Sequence, residues 1–431
     1  MATSSSSSSS STTLINVVPD AEQKLVRVLA SSSSSSSAAA FTSACESAIS
    51  QGDAALLLKT IIDNDEAIKN ALLVNLSESE AISAVSLLGA LLNRVDNNNS
   101  SKQPTASALL ESLSSSIVRN AAGSGSIGVN KTAITLLATL YNIRSFPTDK
   151  VKLLTKMVDA AASKVPEMLE PKTSKTSVVL SKFVVEPTYS KTMFDEWRGT
   201  ARDAVVDVDI DAVRNFYRSA SKAATVIKLP TVAQHFVLLE VQTYKADTSS
   251  SNECIVAATK ASTGAIRDPV SLFTIQRNML TLPAIKALEG KSSSLFALLK
   301  VFQEGNLQDY NSYLKSNGGE STLTQWDLKP EDCSKNMRVL TLCSLASELE
   351  EIPYTIVAKE LDVPPADVEK WVITAVSSGL LSAKMDQMGQ TVMVERCVVR
   401  RCDMEQWRAL QSRLNVWKNN VGEVLKQAMK A

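Results

Sequence analysis

The chain has 431 residues, of which 44% are apolar and only 5% aromatic, enough for two or three structural units with a sizeable core. Lys and Arg together number 45, and so do Asp and Glu, which gives a net charge of zero. A dedicated nucleic-acid-binding protein usually carries a basic excess, so this balance favours proteins as partners.

Histidine and cysteine usage excludes several kinds of site. His235 is the only histidine, so Cys2His2 zinc sites and two-histidine metalloprotease helices are excluded. It lies in the apolar run Val232–Val241, which favours a packed or capping histidine over a catalytic one. The six cysteines form no CxxC pair, which is typical of reduced thiols in the cytosol. We therefore expect no enzyme, no metal and no cofactor.

Neither a membrane-spanning nor a secretory segment is expected. No apolar run reaches the roughly 18–20 residues that cross a bilayer. The N-terminal sequence lacks a basic region and has only a short apolar patch, so it does not resemble a secretory signal. The expected location is the cytoplasm.

A serine-rich segment opens the chain. Serine runs at Ser4–Ser11 and Ser31–Ser37 bury too little apolar surface to offset chain entropy, so residues 1–40 are predicted to form a disordered tail. Between the runs, Ala21–Ala30 has the apolar spacing of a short helix that orders on a partner.

From Phe41 onward the pattern is helical, with short polar links and few strand-like runs. Serial short helices of this kind predict a mainly α chain, with an α-solenoid of degenerate repeats over residues 41–229. The apolar run Val178–Val185 is β-branched and leaves helix and strand open. The predicted helices are 42–50, 53–62, 64–75, 78–95, 104–120, 130–143, 148–164, 191–205, 209–225, 230–246, 252–263, 271–276, 282–288, 292–304, 306–316 and 320–325.

Residues 335–400 have the pattern of a winged helix. A first helix is predicted over 336–350, and Pro353 begins a second one, Tyr354–Leu361, because proline suits a first helical turn. A third helix begins at Pro364-Pro365 and ends before Gly379. The extended runs Leu380–Met385 and Thr391–Val399 then flank a glycine-containing turn, which predicts a β-hairpin.

Two short motifs suggest ligand chemistry but lack its structural context. Gly123–Gly128 matches the GxGxxG dinucleotide fingerprint, with Asp149 as the ribose contact, yet the pattern before it is helical where a strand is needed. An interhelical loop is favoured. Asp207–Asp211 opens like a calcium loop, but Ala212 and Arg218 replace the required Gly and Glu, which favours a helix start.

Winged helices bind nucleic acid in many proteins, but the third helix of this one lacks the residues that usually contact bases. Its third helix carries Asp367 and Glu369 beside the single cation Lys370, whereas recognition helices carry Arg, Lys, Asn or Gln. A basic patch that touches RNA remains open, although a solvated edge or a surface for protein salt bridges is favoured. Its residues are Lys384, Arg396, Arg400 and Arg401.

The last predicted helix has the most regular apolar pattern. Its apolar residues alternate by three and four positions, which is typical of a coiled-coil or bundle seam. Docking into other subunits is favoured over folding back onto the preceding domain, because large aromatics dominate interface energies. This terminal seam consists of Trp407, Leu410, Leu414, Trp417, Val421, Val424 and Ala428.

Helical repeats, a winged helix and one terminal helix together resemble the PCI-domain family. These proteins are scaffold subunits of the proteasome lid, the COP9 signalosome and eukaryotic translation initiation factor 3. Within the family, the sequence is most similar to the M-subunit branch of initiation factor 3, over the stretches 268–288, 298–314, 335–346, 361–381 and 406–421. The resemblance implies a PCI domain over 230–400, with a bundle-forming helix over 403–431.

The resemblance also implies a function. It predicts a non-catalytic subunit that binds its neighbours through the winged-helix edge and the terminal helix, and reaches the small (40S) ribosomal subunit through the complex. Two alternatives stay open: a scaffold subunit of the COP9 signalosome, which shares the layout, and a winged-helix regulator that binds nucleic acid.

Overall fold

The computed structural model describes residues 21–31, 35–65, 68–97, 105–170, 175–200, 208–245, 251–269, 278–316, 319–400 and 404–428. The chain divides into two compact units, Met1–Leu229 and Pro230–Ala431. Both are built mainly from helices, and the predicted fold class, a mainly α chain with a helical solenoid, a winged-helix module and a C-terminal helix, is confirmed.

The first unit is helical throughout its described residues, and helices that follow one another in sequence pack together. Local signals set several helix starts. Asp53 and Asp209, for example, accept hydrogen bonds from free N–H groups of the first turn. Its elements are α1 (Ala21–Ala30), α2 (Ser35–Gln51), α3 (Ala54–Asp63), a π-helix (Ile68–Asn75), α4 (Glu78–Asn97), α5 (Ala106–Ser124), α6 (Ile127–Ile143), α7 (Pro147–Lys164), a 3-10 helix (Pro166–Leu169), α8 (Lys175–Val185), α9 (Pro187–Thr200) and α10 (Ile210–Val226).

A buried arginine joins three of these helices. The side chain of Arg144, just after α6, is inaccessible to solvent. Its Nη2 lies 2.5 Å from Oδ2 of Asp149 in α7, and its Nη1 lies 2.7 Å from Oδ2 of Asp96 and 3.0 Å from Oδ1 of Asn93, both in α4. Close packing of α4 on α6 also depends on Gly89, because a Cβ there would lie 3.0 Å from the side chain of Ile143.

Several expectations for the first unit change. Within the tail predicted over residues 1–40, the short helix predicted at Ala21–Ala30 is present, and it is packed, because Leu25, Val26 and Leu29 are buried. Its apolar face outweighs the serine-rich composition around it. The predicted helix 64–75 is a π-helix from Ile68, and the ambiguous run Val178–Val185 is helical in α8. The serine run Ser4–Ser11 lies outside the described residues.

The two ligand motifs are parts of helix connections. Gly125 and Ser126 link α5 directly to α6, with no strand before them, and Asp149 is the buried partner of Arg144. Asp209 caps α10 and accepts a hydrogen bond from the N–H of Asp211, as the helix-start interpretation requires. Asp207 lies outside the described residues.

The second unit begins with helices and ends with the winged helix and the terminal helix. The predicted helix 271–276 lies outside the described residues. The elements are α11 (Pro230–Gln242), α12 (Asn252–Arg267), a 3-10 helix (Met279–Thr281), α13 (Pro283–Lys286), α14 (Leu288–Lys291), α15 (Ser293–Glu304), α16 (Leu307–Ser316), α17 (Ser321–Gln325), α18 (Pro330–Glu348), β1 (Glu351–Pro353), α19 (Tyr354–Leu361), a 3-10 helix (Pro365–Asp367), α20 (Val368–Ser377), β2 (Leu381–Asp386), β3 (Thr391–Cys397) and α21 (Met404–Ala428).

The winged helix holds a three-stranded antiparallel sheet in the order β1-β3-β2. Ile352 pairs with Val392, and Leu381 with Cys397. Gly379 ends α20 with a φ of 77°, a left-handed conformation that favours glycine. The predicted hairpin is present, whereas the short strand β1 was not predicted.

One apolar core runs from α11 to β3. It joins helix residues such as Leu298 and Leu340 to Val357, Val372 and Val392 of the winged helix. The winged helix therefore shares its core with the helices that precede it.

Candidate protein-interaction surface

The outward face of α20 is mostly apolar, and the helix carries one carboxylate and one cation. Ile373 and Val376 are exposed on it, and Lys370 is the cation of this helix. Glu369 accepts hydrogen bonds from Nε2 of Gln387 (3.1 Å) and from the hydroxyl of Tyr354 (3.4 Å). Burial, and then the charge of Glu369, raise the pKa of that tyrosine. Such a face suits a protein partner better than a phosphate backbone.

The wing presents an apolar tip. Asp386 holds the turn, because its Oδ1 accepts the N–H groups of Met388 (2.9 Å) and Gly389 (3.0 Å). The side chain of Met388 is 97% exposed, and Met393 on β3 is also exposed. The sequence pattern indicated neither methionine, since neither belongs to a periodic apolar run.

The predicted basic patch is only partly assembled. Lys384 and Glu395 form an exposed ion pair with 2.6 Å between Nζ and Oε1. Their hydrogen bond raises the pKa of Lys384 and, with a further one from Ser382, lowers the pKa of Glu395. Arg396 is exposed on β3. Arg401 lies outside the described residues.

The assignment of Arg400 to this patch is wrong. Its residue surface is 7% exposed, and its guanidinium donates hydrogen bonds inward. Nη1 lies 3.0 Å from the carbonyl oxygen of Leu340 and 2.8 Å from Oγ of Ser344, and Nη2 lies 2.6 Å from the carbonyl oxygen of Phe302. Arg400 therefore anchors the end of the winged helix to α15 and α18. Sequence inspection cannot find this role, because the acceptors are 56 to 98 residues away.

The terminal seam is open to solvent on α21. The six seam residues before Ala428 are between 45% (Leu410) and 73% (Trp417) exposed. An ion pair of 3.9 Å links Arg413 of this helix to Glu350, and both side chains are mostly exposed. The helix is 25 residues long, which corresponds to roughly 37 Å. In the described residues, the winged helix does not cover the seam.

The seam is wider than predicted. Leu425, which is 59% exposed, follows Val421 by four residues and extends the same face. Val416, also exposed, is nine residues from Trp407 and lies on the opposite face. Leu425 breaks the strict alternation by three and four, and for that reason the sequence pattern did not include it.

Metal sites and membrane spans are absent from the described parts of the chain. There, no three His, Cys, Asp or Glu side chains come together as a metal site would require. The helices of the same residues include none with the length and apolarity to span a membrane. Cys397 is half-buried, with its Sγ 3.4 Å from the carbonyl oxygen of Ala346, and Cys402 lies outside the described residues.

Two family models match the second unit of the chain. Residues 307–396 match the model of the PCI domain. This segment, from α16 to β3, is therefore similar to PCI domains. Residues 403–426, almost all of α21, match a second model, described as the C-terminal helix of initiation factor 3 subunit M. The resemblance to PCI-domain proteins, and among them to subunit M, is confirmed.

Two curated proteins that are similar to this chain carry the same name. The chain is 33% identical over 224 residues to eukaryotic translation initiation factor 3 subunit M of Aspergillus fumigatus, which covers 51% of this chain and 47% of the relative. The protein of that name from Aspergillus oryzae is 28% identical over 366 residues, covering 82% of this chain and 71% of the relative. The chain thus spans about half the length of the Aspergillus fumigatus relative.

Proposed function

We propose that the chain is a non-catalytic scaffold subunit of the eukaryotic translation initiation factor 3 complex. In this role it supports assembly of the 43S preinitiation complex on the small ribosomal subunit, through contacts between proteins in the cytoplasm. The observation that carries the proposal is α21, which matches the C-terminal helix of subunit M and leaves its apolar seam uncovered.

An uncovered seam of this kind needs a partner. Two tryptophans and four aliphatic side chains line one face, and contiguous exposed apolar surface marks interaction sites. Tryptophan is among the residues that contribute most to binding energy. We infer that the seam, including Ala428, packs into a bundle of helices from other subunits.

The winged helix supplies a second contact. Its exposed apolar residues, Ile373 on α20 and Met388 at the wing tip, fit a protein partner. Lys384 is already paired with Glu395, and Arg400 is buried, which weakens the case for RNA as the ligand of the wing. We propose that this edge binds a neighbouring subunit.

We also propose that the PCI domain covers residues 230–400, with helical repeats over 41–229. The apolar core that continues from α11 into β3 supports the start at 230. Limited proteolysis of the full chain checks this boundary, and the first cut between the two units is expected near Leu229.

Affinity purification tests the function. The tagged chain, recovered from eukaryotic cell extract, is expected to bring down initiation factor 3 subunits together with 40S ribosomal proteins. The variant Trp407→Ala with Trp417→Ala is expected to recover at least about tenfold less of these subunits while keeping its helical circular dichroism, since two interface anchors are lost. A matched control is Val416→Ala with Asn419→Ala, which changes the opposite face of the same helix.

Each arm has an outcome that contradicts the proposal. Recovery of cullin-regulating subunits without 40S proteins would assign the chain to the COP9 signalosome instead. Equal losses in the seam variant and the opposite-face control would show that the seam is not the contact.

A further inference from the structure

A wide charged cleft opens between the first turns of α18 and the outward side of α20. Its volume is about 1010 Å³, at the upper end of the range for small-molecule sites. None of its lining residues belongs to the terminal seam or to the wing. The winged-helix contact proposed above shares α20 with this cleft, but it gives no role to the charged residues that line it.

Cations line the cleft from both helices. Lys329 and Lys335 come from the start of α18, Lys370 comes from α20, and all three are exposed. Within the described residues, none of the three lysines forms a salt bridge, and neither does Arg338, which lines the same cleft. With two carboxylates, Glu320 and Glu331, also at the cleft, four cations leave an excess of two positive charges.

Arg338 is held in position for a ligand. Its Nε donates a hydrogen bond to the carbonyl oxygen of Leu361 at 3.2 Å, and its Cζ lies 5.3 Å from the ring centroid of Trp371. These contacts fix the plane of the guanidinium, while Nη1 and Nη2 donate to no described residue. In this fixed orientation, Nη1 and Nη2 can each donate a hydrogen bond to one of the two oxygens of a carboxylate.

The cleft suits an acidic peptide better than a nucleic acid. Phosphates repeat along an RNA strand, and here they would have to pass Glu320 and Glu331. Single-stranded RNA also gains affinity by stacking bases on aromatic rings, but the guanidinium of Arg338 already covers a face of Trp371. A peptide can place its acidic residues beside the cations and neutral residues beside the two glutamates.

We propose that this cleft binds an acidic segment of a partner protein. A carboxylate of that segment takes a bidentate hydrogen bond from Arg338, and further carboxylates lie against Lys335 and Lys370. The inference goes beyond the scaffold role and stands on the cleft alone, so a failure of either leaves the other unaffected.

Fluorescence anisotropy of the full chain tests the proposal at physiological ionic strength. The probe is a short labelled peptide of alternating Glu and Gly, with the Gln and Gly peptide as its neutral counterpart. Lys335→Glu with Lys370→Glu is expected to weaken binding of the acidic peptide by at least about tenfold, because two attractive charges become repulsive. The control Lys300→Glu with Lys315→Glu makes the same charge change at exposed lysines outside the cleft and is expected to bind within about twofold of the native chain.

A second variant tests the bidentate contact. Arg338→Lys keeps the charge but loses the planar fork, so it is expected to weaken binding severalfold while thermal unfolding of the chain stays close to native. If Lys335→Glu with Lys370→Glu and the control Lys300→Glu with Lys315→Glu weakened peptide binding equally, the effect would come from net charge alone, and the proposal would be overturned. So would a short oligouridylate that binds more tightly than the peptide through the same lysines, which would make the ligand a nucleic acid.

Discussion

Helices α10 and α21 have the same kind of sequence and opposite surroundings. Both are amphipathic, and both carry aromatic residues on the apolar face. In α10 that face is buried, with Phe216 5.1 Å from the ring of Phe194 and 6.2 Å from that of Phe183. In α21 the equivalent face is open, and Trp417 is 73% exposed. Periodicity thus predicts an apolar face, but not whether the same chain covers it.

The largest expected effect lies in the covered helix. Phe216→Ala removes a ring that is inaccessible to solvent, and is expected to lower the free energy of unfolding of its unit by about 3–5 kcal/mol. Urea unfolding followed by circular dichroism measures it. The milder control Phe216→Leu stays apolar and refills part of the space, so it should cost clearly less than Phe216→Ala. A loss below about 1 kcal/mol for the alanine variant would show that α10 is not held by its aromatic face.

An intermediate effect is expected where the winged helix ends. Arg400→Ala removes the guanidinium donor from the buried carbonyl oxygen of Phe302 and one of the donors to the carbonyl oxygen of Leu340, so it should cost about 2–3 kcal/mol. Arg396→Ala, at an exposed arginine four residues earlier, should change stability by less than about 0.5 kcal/mol. Equal losses of unfolding free energy in the two variants, measured in the same urea experiment, would show that Arg400 is a surface residue, as the sequence predicted, and not a buried anchor.

The smallest expected effect lies in the uncovered helix. Trp417→Ala should change the unfolding free energy of the isolated chain by less than about 0.5 kcal/mol, because the exposed ring of Trp417 makes few contacts within the chain. Iodide quenching of tryptophan fluorescence should lose its most accessible component in this variant. A clear drop in stability would mean that the chain covers its own seam, and would remove the contrast with α10.

Much of the winged helix was predictable because its signals are local. Pro353 and Asp362 delimit α19 at Tyr354–Leu361 as predicted, and the turn at Asp386 sets the hairpin. The strand β1 was missed because three residues are too short to show alternation. For the candidate site, heptad spacing identified the seam residues, whereas the role of Arg400 depends on carbonyl oxygens that only the folded chain brings near it.

Tertiary packing accounts for the other misses. The apolar spacing of Ala21–Ala30 predicted the helix, but not that neighbouring helices of the same chain would bury its apolar face. Arg338 belongs to no motif in the sequence, because its fixed orientation requires Trp371 from a helix thirty-three positions later. Local patterns therefore predicted where the helices lie, but not which polar side chains would be oriented by contacts with residues distant in the sequence.

The exposed terminal seam has a consequence for the abundance of the protein in a cell. A copy whose α21 has no partner displays two tryptophans and a row of aliphatic side chains, the kind of surface that chaperones bind and that promotes aggregation. A copy whose seam is covered displays none of it. If the seam is the contact proposed above, surplus copies are the ones removed, and the abundance of this chain follows that of its partners.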